Sequence, residues 1–176
     1  LIDLLQSPKL LKHRLLLMLL YGCGLRSYEL CNLLQSDVDF NRNSLFIRKQ
    51  KGKTDRYVPL NTMLIRGLKK YLKTESPVKY LFNSQLTKDG LWQPITVRAI
   101  QWIIKESRSK VSTKKKFTAH TLRHSYATHL LEDGLNIISL KELLGHAHIE
   151  TTMVYLHVAN SGSSLKFSPL DTLYTA

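Results

Sequence analysis

The stretch from Thr118 to His157 limits what this chain can fold into more than any other part. It reads T-A-H-T-L-R-H-S-Y-A-T-H-L-L-E-D-G and, after a short link, L-K-E-L-L-G-H-A-H-I-E-T-T-M-V-Y-L-H. Gly134 and Gly145 each follow an apolar run, the place where a helix C-terminus wants a residue tolerant of positive φ. Two helices ending at these glycines are predicted, with a third over Ile149 to Val158. His120 and Arg123 are three apart, so on a helix they share one face. His146 lies just past the second glycine, and Tyr155 nine residues further on. Two imidazoles, a guanidinium and a phenol brought together suit an anionic phosphate. The guanidinium binds its oxygens in a fork, and a phenol can attack its phosphorus.

Charge points the same way. The 176 residues carry 26 Lys and Arg against 13 acidic residues, a formal charge of +13. That excess favours a polyanionic partner, nucleic acid ahead of an anionic membrane. One chain of this length suits one domain with a real core. No run of about 18 apolar residues offers a membrane span, and no signal-peptide pattern is present. Cys23 and Cys31 sit in apolar or helical surroundings and read as reduced thiols of a cytosolic protein. The first residue is Leu, which suits a domain excised from a longer protein.

Along the chain, Ser7-Pro8 reads as a helix start, and a Leu-rich core helix runs from there to about Tyr21. Gly22 and Gly24 break it, and Ser27 caps a helix over Tyr28 to Leu34. Asp37 to Asn41, Ser44 to Lys49 and Arg56 to Leu60 are short and β-leaning, with turns at Asn41-Arg42-Asn43 and Gly52-Lys53-Thr54-Asp55. Asn61 caps a helix to about Lys73, Tyr80 to Phe82 is briefly extended, and Pro94 to about Arg108 has helical spacing. Ser109 to Lys116 is a basic link. The expected fold is mainly α with a small three-stranded antiparallel sheet.

Several residues read more than one way on their own. A free phenol has a pKa of about 10, so Tyr155 is a nucleophile only beside cations that stabilise its phenolate. Arg26, at the helix break, reads alone as an exposed arginine capping a carbonyl. Together with Arg123 it forms a clamp for both non-bridging oxygens of one phosphodiester. Glu29, one helical step on, orients Arg26 or another basic side chain, or makes a plain surface ion pair. His120, His124, His129, His146, His148 and His157 are crowded enough to raise a metal centre, but no H-E-x-x-H or cysteine pair has ligand spacing. His120 and His146 are read as hydrogen-bond donors to phosphate, the other four as structural or DNA-facing. Lys49, Lys51 and Lys53 lie at the sheet turn, where a charge run is ordinarily a solvated face. The departing sugar oxygen nevertheless needs a proton, which a turn lysine can supply. Lys49, Lys53, Arg56, Lys114, Lys115 and Lys116 are the expected DNA contacts.

H-T-L-R-H-S-Y-A-T-H-L-L followed by L-L-G-H-x-x-I-x-T-T-x-x-Y resembles the tyrosine recombinases, also called the phage-integrase family. The match extends upstream through G-L-R-S-Y-E-L (Gly24 to Leu30) and K-G-K-T-D-R-Y-V-P-L (Lys51 to Leu60). The resemblance implies a catalytic domain over residues 1–157 and a C-terminal tail over 158–176, with an N-terminal core-binding domain outside this chain. It implies an active site of Arg26, Lys51, His120, Arg123, His146 and Tyr155, working without metal or nucleotide cofactor. In the family the tyrosine attacks a DNA phosphate, leaving a 3′-phosphotyrosine and a free 5′-hydroxyl. The lysine protonates the 5′ oxygen, and Lys51 takes its place, with Lys53 the near competitor. The implied partners are double-stranded recombination sites, met by a homotetramer that exchanges tails between protomers. Ser168-Pro169-Leu170-Asp171 is similar to the ending of integron integrases and related chromosomal integrases. Only the short link Lys73 to Lys79 stands where integron integrases usually carry a helical insertion, so cassette recombination is the runner-up. Two other readings stay open: a DNA-binding regulator that keeps the fold without strand exchange, and a type IB topoisomerase.

Overall fold

The computed structural model describes residues 1–48, 55–86, 92–113 and 115–159. Its elements run α1 (Ile2–Gln6), α2 (Leu11–Gly22), α3 (Ser27–Cys31), a 3-10 turn (Gln35–Asp37), β1 (Val38–Asp39), β2 (Ser44–Ile47), β3 (Arg56–Pro59) and α4 (Thr62–Glu75). Then come β4 (Asn83–Leu86), β5 (Trp92–Pro94), α5 (Val97–Ser109), α6 (Ala119–Glu132), α7 (Ile137–Leu144) and α8 (Glu150–Ala159).

Helix α2 is the hub. Leu15, Leu16, Leu17, Leu19 and Leu20 are all buried, and the helix packs against α1, α3, α4, α5 and α6. Apolar residues on nearly every side suit a helix surrounded by others rather than one lying on a surface. Each fully buried leucine contributes about 1.5–3 kcal/mol relative to exposure. A second cluster joins Tyr126 and Ala127 of α6, Leu140 and Leu144 of α7, and Tyr155 of α8. It fixes the last three helices to one another and carries the residues singled out at the chain's C-terminal end.

The β strands form an antiparallel sheet in the order β1-β2-β3. Leu45 pairs with Val58, and Ile47 with Arg56. Along β3 burial alternates, with Arg56 and Val58 inward and Tyr57 and Pro59 outward, as a pleated strand requires. The mainly α fold with one small three-stranded sheet is thus present as expected. Asn61 caps α4 by accepting from the Leu64 amide at 2.8 Å, and Thr118 caps α6 by accepting from the Thr121 amide at 3.0 Å.

Three local readings change. The core helix starts at Leu11, because Ser7 closes the preceding helix α1. Its hydroxyl donates to the Leu4 carbonyl at 2.9 Å and to the Ser107 carbonyl of α5 at 3.1 Å. The helix expected over Tyr28 to Leu34 ends at Cys31, because Leu34 leaves to bridge Tyr80 and its amide donates to the Asp37 carboxylate at 2.8 Å. A second antiparallel pair, β4 with β5, was not expected. Among the described residues no helix is long and apolar enough to cross a membrane, and Cys23 and Cys31 are buried free thiols.

Candidate active site

The turn between α2 and α3 sets the first part of the site. Gly24 has φ +58°, and a Cβ there would lie 2.4 Å from the Tyr126 ring, so both backbone sign and space call for glycine. This tight passage turns the Gly24 carbonyl toward α6, where it accepts from Arg123 Nη1 at 2.5 Å. Arg26 follows at the N-cap of α3. The first turn of α3 then buries Glu29, which is 5 % exposed.

Glu29 is the electrostatic centre of the cluster. Its carboxylate accepts from the Arg26 amide at 2.8 Å, from Arg26 Nη1 at 3.1 Å, and from Arg56 Nη1 and Nη2 at 2.9 Å each. Arg123 Nη1 stands 3.8 Å away. Burial alone would raise the Glu29 carboxyl. The hydrogen bonds and charge of Arg56, the Arg26 amide and the Arg123 charge outweigh it and hold the group down to about 2.

The end of α7 supplies the second wall. Gly145 closes the helix with φ +61°, as its position after the apolar run predicts, and Gly134 likewise has positive φ. The last carbonyls of a helix have no partner within it. Here the Leu143 carbonyl accepts from Arg56 Nε at 2.8 Å, and the Leu144 carbonyl accepts from Arg123 Nη2 at 2.6 Å and from Arg26 Nη1 at 3.3 Å. Cations at the negative end of a helix are also favoured by its dipole. Burial first, then repulsion from Arg26, lowers the Arg123 guanidinium to about 10 against the pull of Glu29, with Arg56 lowering it further. It stays charged at neutral pH.

His146 follows Gly145. Its Nε2 lies 3.1 Å from Arg123 Nη2, and its Nδ1 lies 2.9 Å from the hydroxyl of Thr152, a residue with no exposed surface. Tyr155, one turn beyond Thr152 on α8, is 7 % exposed. Its ring stacks on His146 with centroids 6.4 Å apart and planes 10° apart, and His124 covers it at 5.0 Å. Arg26, His120, Arg123, His146 and Tyr155 line one open pocket of about 290 Å³, together with Ser27, Ala119 and Thr151. Chemically it offers guanidinium hydrogen-bond donors and two imidazoles around a phenol.

Five of the six residues expected at the site therefore share one pocket. Lys51 lies outside the described residues, as do Lys49, Lys53 and Lys114. Lys115 and Lys116 are exposed. Arg56 requires a correction. Expected as a DNA contact, it is 9 % exposed, and its guanidinium is bound to Glu29 and the Leu143 carbonyl. It belongs to the interior. Strand alternation carries the signal for this, because Arg56 is two residues from Val58 on the same face. Glu29 is the buried orienting group of the two readings it had. Of the remaining histidines, His129 meets the Tyr21 hydroxyl at 2.9 Å through Nδ1, and His148 is exposed. The side chain of His157 lies outside the described set. Among the described residues no three His, Cys, Asp or Glu side chains come together as a metal site. Thr152 was not singled out in the sequence. Its spacing of six residues from His146, within I-E-T-T, was the available cue.

The Glu29 cluster carries a stability prediction. Removing one partner of a buried ion pair costs about 3–5 kcal/mol, so Glu29→Ala is expected to lower folding stability by that order, read from urea denaturation. The folded carboxyl titrates at about 2 against an ordinary 4.5. A depressed acid contributes stability that is complete above its unfolded pKa and is lost as pH falls toward the folded one. Wild-type stability should therefore decline between about pH 5 and 2, and Glu29→Gln should remove this part of the acid dependence. An unchanged acid limb in Glu29→Gln would contradict the assignment.

Comparison with known proteins places the fold. Tyrosine recombinase XerA of Thermococcus onnurineus is 40% identical over 154 residues, covering 86% of this chain and 52% of that protein. A tyrosine recombinase of Pseudothermotoga lettingae is 43% identical over 169 residues, covering 95% and 56%. The crystal structure of XerA recombinase superposes with a TM-score of 0.79 at 29% identity, covering 98% of this chain and 61% of that one. XerH site-specific recombinase, bound to a palindromic difH substrate in a post-cleavage complex, superposes with a TM-score of 0.70 at 28% identity over 91% of this chain and 48% of that one. The chain spans about half the length of the curated relatives it matches. The sequence pattern of the phage integrase family matches residues 1–161, and the chain belongs to that family.

Proposed function

We propose that this chain is the catalytic domain of a tyrosine-type site-specific DNA recombinase, with residues 158–176 as its tail. The observation that carries the reading is the shared pocket of Arg26, His120, Arg123, His146 and Tyr155. In this reading the phosphodiester lies between the two arginines. Tyr155 Oη forms a bond to phosphorus as the bond to the 5′ oxygen breaks. The phenol proton passes to an imidazole of the pocket, and Lys51 protonates the departing 5′ oxygen. The extra negative charge of the five-coordinate phosphorus is met by Arg26, Arg123, His120 and His146. The 5′-hydroxyl of another strand then attacks the phosphotyrosine and reverses the step. A regulator that only binds DNA has no use for a phenol enclosed with two guanidiniums and two imidazoles.

The excess charge of +13 supports a DNA partner. Likeness to XerH site-specific recombinase bound to difH substrate supports a recombination-site partner, which we take to be double-stranded. A homotetramer with exchanged tails on DNA, in the cytoplasm, completes the proposal. The test is a nicked substrate whose cleaved fragment diffuses away, incubated with the full-length protein. A covalent adduct resistant to denaturant and mapped to the peptide carrying Tyr155 is expected. Cleavage with no protein-bound strand would overturn the reading.

A further inference from the structure

We propose that Arg56 is a positioning residue for strand cleavage: its fork on Glu29 keeps Arg26 and Arg123 available to the phosphate. The inference rests on the recombinase reading above. Three guanidiniums surround one carboxylate, leaving an excess of two positive charges beside the pocket. How the carboxylate is shared decides where that excess points. Arg56 takes both oxygens, at 2.9 Å each, and donates its Nε inward to Leu143. It is not among the residues lining the pocket. The Arg26 guanidinium reaches Glu29 through one nitrogen, and Arg123 stands at 3.8 Å, beyond hydrogen-bond reach.

A carboxylate this deeply buried does not stay half-paired when its main partner is lost. Without Arg56, the neighbour able to take its place is Arg123. To do so it would leave the Gly24 and Leu144 carbonyls that now aim it. The clamp would turn inward and its charge would be consumed by Glu29. Arg56 also holds Leu143, next to the Leu144 carbonyl that accepts from both pocket arginines. Gly145 belongs to the same device, since a Cβ there would lie 2.9 Å from Arg56 Nη1. A lysine supplies the charge without the planar fork, so it should do only part of the work.

The test uses the full-length protein in single-turnover cleavage of two nicked substrates. One has the ordinary scissile phosphodiester. The other has a methylphosphonate there, which carries no negative charge and needs less of the clamp. Arg56→Met is expected to slow cleavage of the ordinary strand by about 10²-fold, the loss typical of one charge-stabilising donor. Relative to wild type, the defect should shrink at least severalfold on the methylphosphonate, and Arg56→Lys should fall between the two. Thermal melting reports folding, and if Arg56→Met does not fold, Arg56→Lys carries the comparison alone. Equal losses on both substrates mean general distortion of the site and overturn the proposal, as does a wild-type rate in a folded variant. If the wild-type protein itself forms no adduct, the recombinase reading fails, and this inference fails with it.

Discussion

Tyr155→Phe is expected to leave no covalent protein–DNA adduct while DNA binding stays nearly intact. The substitution removes one oxygen and keeps the ring. Ring packing is what anchors this position, through the stack on His146 and the cover of His124. The phenylalanine variant should therefore fold and hold the pocket open, with its guanidiniums and imidazoles in place. What it loses, in the recombinase reading, is the atom that would bond to phosphorus. If the bond energy of the cut strand is stored in that link, as proposed, rejoining disappears together with cleavage. Gel-shift affinity and denaturing-gel adducts, measured on one preparation, separate the two effects. An adduct that persisted in the variant would move the nucleophile elsewhere.

The second large effect is expected at Lys51. The leaving 5′ oxygen becomes an alkoxide unless it is protonated as its bond breaks, and general acid catalysis contributes about 10²- to 10⁴-fold. Lys51 is proposed for this on its position in K-G-K-T-D-R-Y-V-P-L, and Lys53 competes for the role two residues on. Replacing the bridging oxygen with sulfur gives a far less basic leaving group that needs little or no proton. Lys51→Ala should be slow on ordinary DNA and largely rescued on the sulfur-bridged strand. Lys53→Ala should show no such rescue, because a lost phosphate contact affects both substrates alike. The opposite pattern would transfer the role to Lys53, and rescue of neither would assign the proton to a histidine or to water.

Much of this site could be read before any coordinates. Gly134 and Gly145 are local signals, and local signals set helix ends. The spacing of His120 from Arg123 gave one face of α6, and both residues line the pocket. Arg56 was misread for the opposite reason. Lys49, Lys51 and Lys53 lie just upstream, and a basic turn ordinarily faces water. Its burial depends on Glu29, 27 residues away, and on Leu143, 87 residues away. No window of sequence contains those partners. The β4–β5 pair was missed because its strands are four and three residues long and their register is irregular. Helix α1, with five residues, is too short to show a period. Ser7 looked like a helix start because the residue that opens one helix in many chains here closes another.

The carbonyls of Leu143 and Leu144 have a consequence for how the protein is made. Their bonds to Arg56 and Arg26 join residues 87 and 118 positions apart, and Arg123 reaches back 99 positions to Gly24. Contacts of such separation close late in folding, after local helices have formed. Synthesis proceeds from the N-terminus, so Arg26, Glu29 and Arg56 exist well before the helices that organise them. Until the last helices emerge and dock, the three guanidiniums have no common frame and the tyrosine has not been made. On the proposed function, a nascent chain therefore carries the ingredients of a DNA-cutting centre without its assembly. Competence to break a strand arrives together with the His146 and Tyr155 through which the same protein, in this reading, would seal it again.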